Sequence, residues 1–195
     1  MRKTLFLIMT GFFAINANAA VPTPKVTACT NPVAELKTSM GEIDIELNTA
    51  KAPISVANFT QYVTSGFYND KIFHRVIPGF MIQGGGFDKK MNQAATKAPI
   101  KNEANNGLPN DKYTISMART NDPNSATAQF FINVNDNTPL NYSLSNPGYA
   151  VFGKVIKGQD VVDKIAATPT GTVGIYENVP TTPVVIKSAK ILSCK

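Results

Sequence analysis

The chain has 195 residues, a formal net charge of +6 at pH 7 and 43% hydrophobic residues. That size and balance support one globular domain with a sizeable core rather than several domains. The Lys and Arg residues are scattered and never interleave with aromatics in a basic run, which argues against nucleic acid as a partner and leaves an ordinary solvated surface.

In chain order, the first segment is a processing signal. Met1-Arg2-Lys3 is a short positive start, residues 5–15 are apolar but too few to span a bilayer, and Ala17-Asn18-Ala19 fits a small-residue cleavage site. A signal peptide over 1–19 is therefore expected. Its loss leaves 176 residues and, with Arg2 and Lys3 gone, a charge of +4. No later stretch approaches the length of a membrane span, so no membrane partner is expected. Residues 20–32, with Val21-Pro22-Thr23-Pro24, are predicted to be a tether, and 33–195 the folded domain.

Glu42-Ile43-Asp44-Ile45-Glu46-Leu47 alternates as a half-buried strand, and Ser39-Met40-Gly41 turns it back on Ala34-Glu35-Leu36-Lys37. A helix is predicted over 53–65, where Pro53 suits the first turn and Val56, Phe59 and Val63 share a face. Residues 73–87 read as two strands joined at Pro78-Gly79. Further strands are predicted over 113–118, 129–134, 150–156 and 184–192, and a short helix over 159–167 with Val161 and Ile165 facing inward. Many short strands with two helices point to a mostly β fold, a barrel.

The 73–87 pair carries the chemistry. It places one permanent cation, Arg75, and one amide, Gln83, among apolar and glycine neighbours. That arrangement suits holding an uncharged peptide group against a hydrophobic wall. Sharper signals fail. His74, the only His, alternates away from Arg75 and is expected to be structural; with two distant Cys it makes no metal site, so none is predicted. Residues 148–154 have phosphate-loop spacing, but Val155 stands where Ser or Thr is needed. Gly84-Gly85-Gly86 lacks the strand-to-helix context of a dinucleotide loop, and the Asn58-Phe59-Thr60 acceptor pattern falls inside the first predicted helix.

The run Phe73-His74-Arg75-Val76-Ile77-Pro78-Gly79-Phe80-Met81-Ile82-Gln83-Gly84-Gly85-Gly86-Phe87 resembles the signature of cyclophilins, the peptidyl-prolyl cis-trans isomerases. Ser125-Ala126-Thr127-Ala128-Gln129-Phe130-Phe131-Ile132-Asn133 and Tyr149-Ala150-Val151-Phe152-Gly153-Lys154-Val155 resemble two further hallmarks, in the same order, and the likeness runs from Glu35 to Leu192. It implies an eight-stranded antiparallel β-barrel capped by two α-helices, acting without a cofactor. By this resemblance Arg75 and Gln83 are catalytic, and Phe80, Met81, Phe131 and Leu140 form the socket for the proline ring. Ala118, Arg119 and Tyr149 complete the substrate-binding groove, Arg119 through its backbone. Phe130, adjacent to Phe131, is expected on the opposite, buried face.

The resemblance places the first and last strands side by side, so Cys29 and Cys194, in an exported chain, are expected to form a disulfide. Two positions depart from the best-known eukaryotic pattern: Thr138-Pro139-Leu140 has no Trp before the Leu, and Tyr149 stands in place of a His. Both resemble the bacterial exported branch. The expected protein is a periplasmic monomer that acts on proline-containing unfolded polypeptides, assists their folding and binds cyclosporin weakly. Two rivals use the same lining: a chaperone groove that only binds, and a barrel that carries small lipophiles.

Overall fold

The computed structural model describes residues 31–192. The expected signal over 1–19, most of the 20–32 tether, and both Cys29 and Cys194 lie outside the described residues. Strands β1 (Val33–Thr38) and β2 (Gly41–Leu47) form the first hairpin. Ile43, Ile45 and Leu47 are fully buried, and the acids between them face outward, where Lys157 lies 3.4 Å from Glu42 and 3.7 Å from Asp44.

Helix α1 (Pro53–Thr64) follows, with Pro53 in its first turn as expected. Its N-terminal Ala52 offers no capping side chain. Instead, the Glu103 carboxylate accepts hydrogen bonds from the Ile54 amide at 3.0 Å and from the Ser55 amide and hydroxyl, each at 2.7 Å. A carboxylate distant in sequence thus satisfies the free donors and opposes the positive end of the helix. Asn58 is buried in α1 and donates to the Thr127 carbonyl at 2.6 Å, so it is a packing residue.

Then come β3 (Lys71–Ile77), β4 (Met81–Gly84), β5 (Thr114–Met117), β6 (Phe130–Asn133) and β7 (Val151–Lys157). Helix α2 (Gln159–Ala166), a hairpin of β8 (Thr170–Val173) and β9 (Tyr176–Pro180), and β10 (Val185–Leu192) complete the chain. Eight strands close a barrel in the order β1-β10-β3-β4-β6-β5-β7-β2, with every pair antiparallel. Closure leaves the barrel sheet itself without an edge strand among the described residues. The expected barrel with two helices is the observed one.

Both helices bury their apolar faces in the same core. Phe59 of α1 meets Phe130 edge-on at 5.5 Å and lies 5.2 Å from both Tyr68 and Phe152. Phe130 is fully buried, as alternation requires if Phe131 faces the other way. Gly85 has φ +86°, and a Cβ there would lie 2.8 Å from the Tyr68 ring and 2.9 Å from Phe130. Only glycine fits that backbone and that space. The β8–β9 hairpin stands apart from the barrel sheet and is anchored by Tyr176, whose ring lies 5.1 Å from Phe87.

Candidate active site

Strand pairing sets out the site as a row. Arg75 on β3 pairs with Gln83 on β4, Gln83 with Phe131 on β6, and Phe131 with Ser116 on β5. Partners in a ladder share a face, so Arg75, Gln83 and Phe131 emerge side by side on the outside of the barrel. A register shift between Phe73 and Arg75 makes His74 the extra residue of a bulge. That kink lets Phe73 enter the core, buries His74 beneath Phe87, and leaves Arg75 free on the groove side.

The β3–β4 turn is built by Ile77-Pro78-Gly79-Phe80, closed by the Phe80 amide donating to the Ile77 carbonyl at 3.1 Å. Proline at the second position and glycine at the third, with φ +71°, are what a type II turn requires. The turn delivers Phe80 and Met81 to the pocket. The Phe80 carbonyl is held by the Val134 amide at 3.0 Å and the Asn137 side chain at 2.8 Å.

All nine site residues expected from the sequence line one pocket of about 100 Å³. Phe80, Met81, Ala118, Phe131 and Leu140 supply its apolar wall, and Arg75, Gln83, Arg119 and Tyr149 its polar rim. The space suits one small ring and is below the ~300–1,000 Å³ typical of cofactor or drug-sized sites. No carboxylate, Ser, Cys or His lines it. What the lining offers is apolar grip together with hydrogen-bond donors and acceptors.

Each polar member has a distinct setting. Arg75 is exposed at the rim and, among the described residues, its guanidinium forms neither an ion pair nor a hydrogen bond. Its permanent charge and five donors are thus available to a ligand. Gln83 donates from its side-chain amide to Gln129 at 2.9 Å, and its side-chain oxygen accepts no hydrogen bond from Arg75. A Cβ on Gly86 would lie 2.6 Å from the Gln129 side chain, so glycine there leaves room for the amide that steadies Gln83. Arg119 stacks 4.3 Å from the Tyr149 ring and donates from Nε to the Gly148 carbonyl at 3.1 Å. Tyr149 in turn meets Phe131 edge-on at 5.7 Å. This Arg–Tyr–Phe stack walls the pocket in a chain that has no Trp.

His74 is 5% exposed, and burial is the main cause that holds its pKa down at about 4. The charge of the adjacent Arg75 adds to that shift. It is neutral at pH 7 and outside the prolyl pocket, and the bulge rather than simple alternation sets its place.

A buried amide network behind the pocket carries no sequence signal, because isolated Asn residues usually mark loops. Asn110 donates to the Leu140 carbonyl at 3.1 Å and accepts from the Ser116 hydroxyl at 2.7 Å. Asn137 donates to Asn133 at 2.7 Å as well as to Phe80. These bonds fix the short turn Thr138–Leu140, so Leu140 reaches the pocket on firm support.

Comparison with known proteins agrees with this fold. The family described as cyclophilin type peptidyl-prolyl cis-trans isomerase/CLD matches residues 33–191. A peptidyl-prolyl cis-trans isomerase of Acinetobacter baylyi is 61% identical over 166 residues, covering 85% of this chain and 88% of that protein. Peptidyl-prolyl cis-trans isomerase B of Escherichia coli is 56% identical over 157 residues, 79% of this chain and 96% of its own. Among solved structures, a Cryptosporidium parvum cyclophilin type isomerase superposes with a TM-score of 0.70 at 27% identity, covering 85% of this chain and 99% of that one. The same protein in the presence of the dipeptide Ala-Pro gives 0.69 at 27% identity, with 83% and 99% covered. The barrel and this likeness over nearly all the described residues agree: the chain belongs to the cyclophilin-type peptidyl-prolyl cis-trans isomerases.

Proposed function

We propose that the nine-residue pocket is where this isomerase turns X-Pro bonds, and that its substrates are unfolded or newly exported polypeptides in the bacterial periplasm. The prolyl ring lies against Phe131, Met81, Phe80 and Leu140. Arg75 donates to the prolyl nitrogen, and Gln83 bonds the substrate main chain. The observation that carries this reading is the unpartnered Arg75 guanidinium beside an apolar notch of ring size. A solved relative examined with Ala-Pro supports a prolyl peptide as the ligand class.

The physical logic follows from the amide. Its planarity comes from delocalisation of the nitrogen lone pair, and rotation costs ~18–20 kcal/mol because that delocalisation is lost. In the twisted state the lone pair returns to nitrogen and becomes a good acceptor. A fixed cationic donor there binds the twisted state more strongly than either planar isomer, which is the condition for catalysis. The mature protein is expected to accelerate the slow, proline-limited phase of refolding of an unfolded protein in substoichiometric amounts. Acceleration that needs stoichiometric protein would instead favour a holding groove.

Weak cyclosporin binding belongs to the same reading. Pro139 precedes Leu140 where an indole would offer a hydrogen bond and broad contact area. A calorimetric titration is expected to show no tight complex, and a tight one would contradict the assignment of Leu140 and its loop.

A further inference from the structure

Three of the residues that wall the prolyl pocket stand where apolar packing holds them only in part. Phe80 and Leu140 are half-buried on surface turns, and the turn Thr138–Leu140 buries none of its own side chains. Tyr149 is likewise half-buried, just ahead of β7. A pocket of about 100 Å³ leaves little tolerance in the spacing of such walls. Side-chain burial is too slight at these positions to set that spacing.

What links the three is one chain of buried amides. Asn137 donates to the Phe80 carbonyl at 2.8 Å and to the Asn133 side chain at 2.7 Å. Asn133 donates to the Asn110 side chain at 3.3 Å and to the Thr114 hydroxyl at 2.9 Å. Asn110 donates in turn to the carbonyls of Leu140 at 3.1 Å and Tyr149 at 3.3 Å. Asn110 and Asn133 are fully buried and Asn137 nearly so, and none of their buried polar atoms lacks a partner. Burying three amides is unfavourable unless every one of them is bonded, and a fully bonded network is rigid because it admits few other arrangements.

We propose that Asn110, Asn133 and Asn137 are positioning residues for the isomerisation. They fix Phe80, Leu140 and Tyr149 relative to one another, so that the pocket grips the twisted prolyl ring without first rearranging. They act through the backbone carbonyls of residues that line the pocket and line none of it themselves. The inference rests on the prolyl pocket being the catalytic site and names what preorganises it. A loosened pocket still closes around a planar prolyl peptide, but it must order its walls on the way to the twisted state. Rate therefore suffers more than affinity.

The test is Asn137→Ala, assayed on a succinyl-Ala-Ala-Pro-Phe anilide at a temperature where circular dichroism shows the variant folded. The Val134 amide still holds the Phe80 carbonyl at 3.0 Å, so the turn stays attached. A fall in kcat of about tenfold is expected, with KM within about threefold of wild type. Val56→Ala, which opens the core beneath α1, is the control: it loses stability and is expected to keep both constants. A kcat within about twofold of wild type in Asn137→Ala overturns the proposal, as does a loss carried by KM or an equal fall of kcat in Val56→Ala. Should Asn137→Ala not fold, Asn137→Ser is judged by the same criteria. Failure of the prolyl-pocket reading would be seen separately, as full activity of Arg75→Ala on the same peptide.

Discussion

Arg75→Ala is expected to lower kcat/KM on a prolyl tetrapeptide by about 10²–10³-fold, the usual loss when one preorganised transition-state donor is removed. Uncatalysed exchange takes ~10–100 s, so a turnover of ~10³ per second would need about 7 kcal/mol of selective stabilisation. One donor supplies roughly 3–4 kcal/mol of that. On the proposed function, the rest would fall to the apolar grip of Phe131 and its neighbours, holding the ring while the chain beyond it turns. Peptide affinity should change by less than about threefold, because the planar ground state gives Arg75 little to bind. Arg75→Lys should be intermediate: an ammonium keeps the charge but loses the planar fork. The pairing of retained affinity with lost rate separates an isomerase from a groove that only binds. A proportional loss of both would place Arg75 in binding alone.

The second large effect is on stability in acid. His74 has a folded-state pKa of about 4 against an ordinary value of 6.5. Between those values the unfolded chain takes up a proton that the folded protein excludes. Stability therefore falls as pH drops from 6.5 towards 4 and rises again with pH, levelling off above 6.5. At pH 4.5 the loss from this one residue is about 2–3 kcal/mol relative to pH 7, a large part of a typical folding free energy. Urea unfolding of wild type and His74→Phe at both pH values isolates it. The variant should lose less stability on acidification by about that amount, and equal losses would mean that His74 ionises freely in the fold. Isomerase activity should stay nearly flat from pH 6 to 8, since no pocket residue must exchange a proton.

Much of the barrel is legible in the sequence because its strands alternate. Ile43, Ile45 and Leu47 show it in β2, and the adjacent pair Phe130 and Phe131 forces one ring into the core and the other into the pocket. The helices are legible for similar reasons, through Pro53 and through the spacing of Val161 and Ile165. The pocket lining came from likeness to a family rather than from any pattern of the residues themselves. What stays hidden is whatever depends on contacts between distant segments. Glu103 caps a helix some fifty residues upstream, and the Asn110, Asn133 and Asn137 network braces the Leu140 turn. Neither leaves a local signature. The β8–β9 hairpin is hidden for another reason: Thr170–Val173 is exposed on both faces, so it lacks the alternation by which strands are recognised. Gln83 is a partial case, because its position is local but its partner, Gln129, is set by the β4–β6 register.

The most direct measurement is a crystal structure of the protein with an Ala-Pro peptide bound. The account predicts the prolyl ring seated against Phe131 and Met81, with an Arg75 Nη within hydrogen-bonding reach of the imide nitrogen. A ring bound elsewhere, or a guanidinium turned away into solvent with the ring in place, would contradict it.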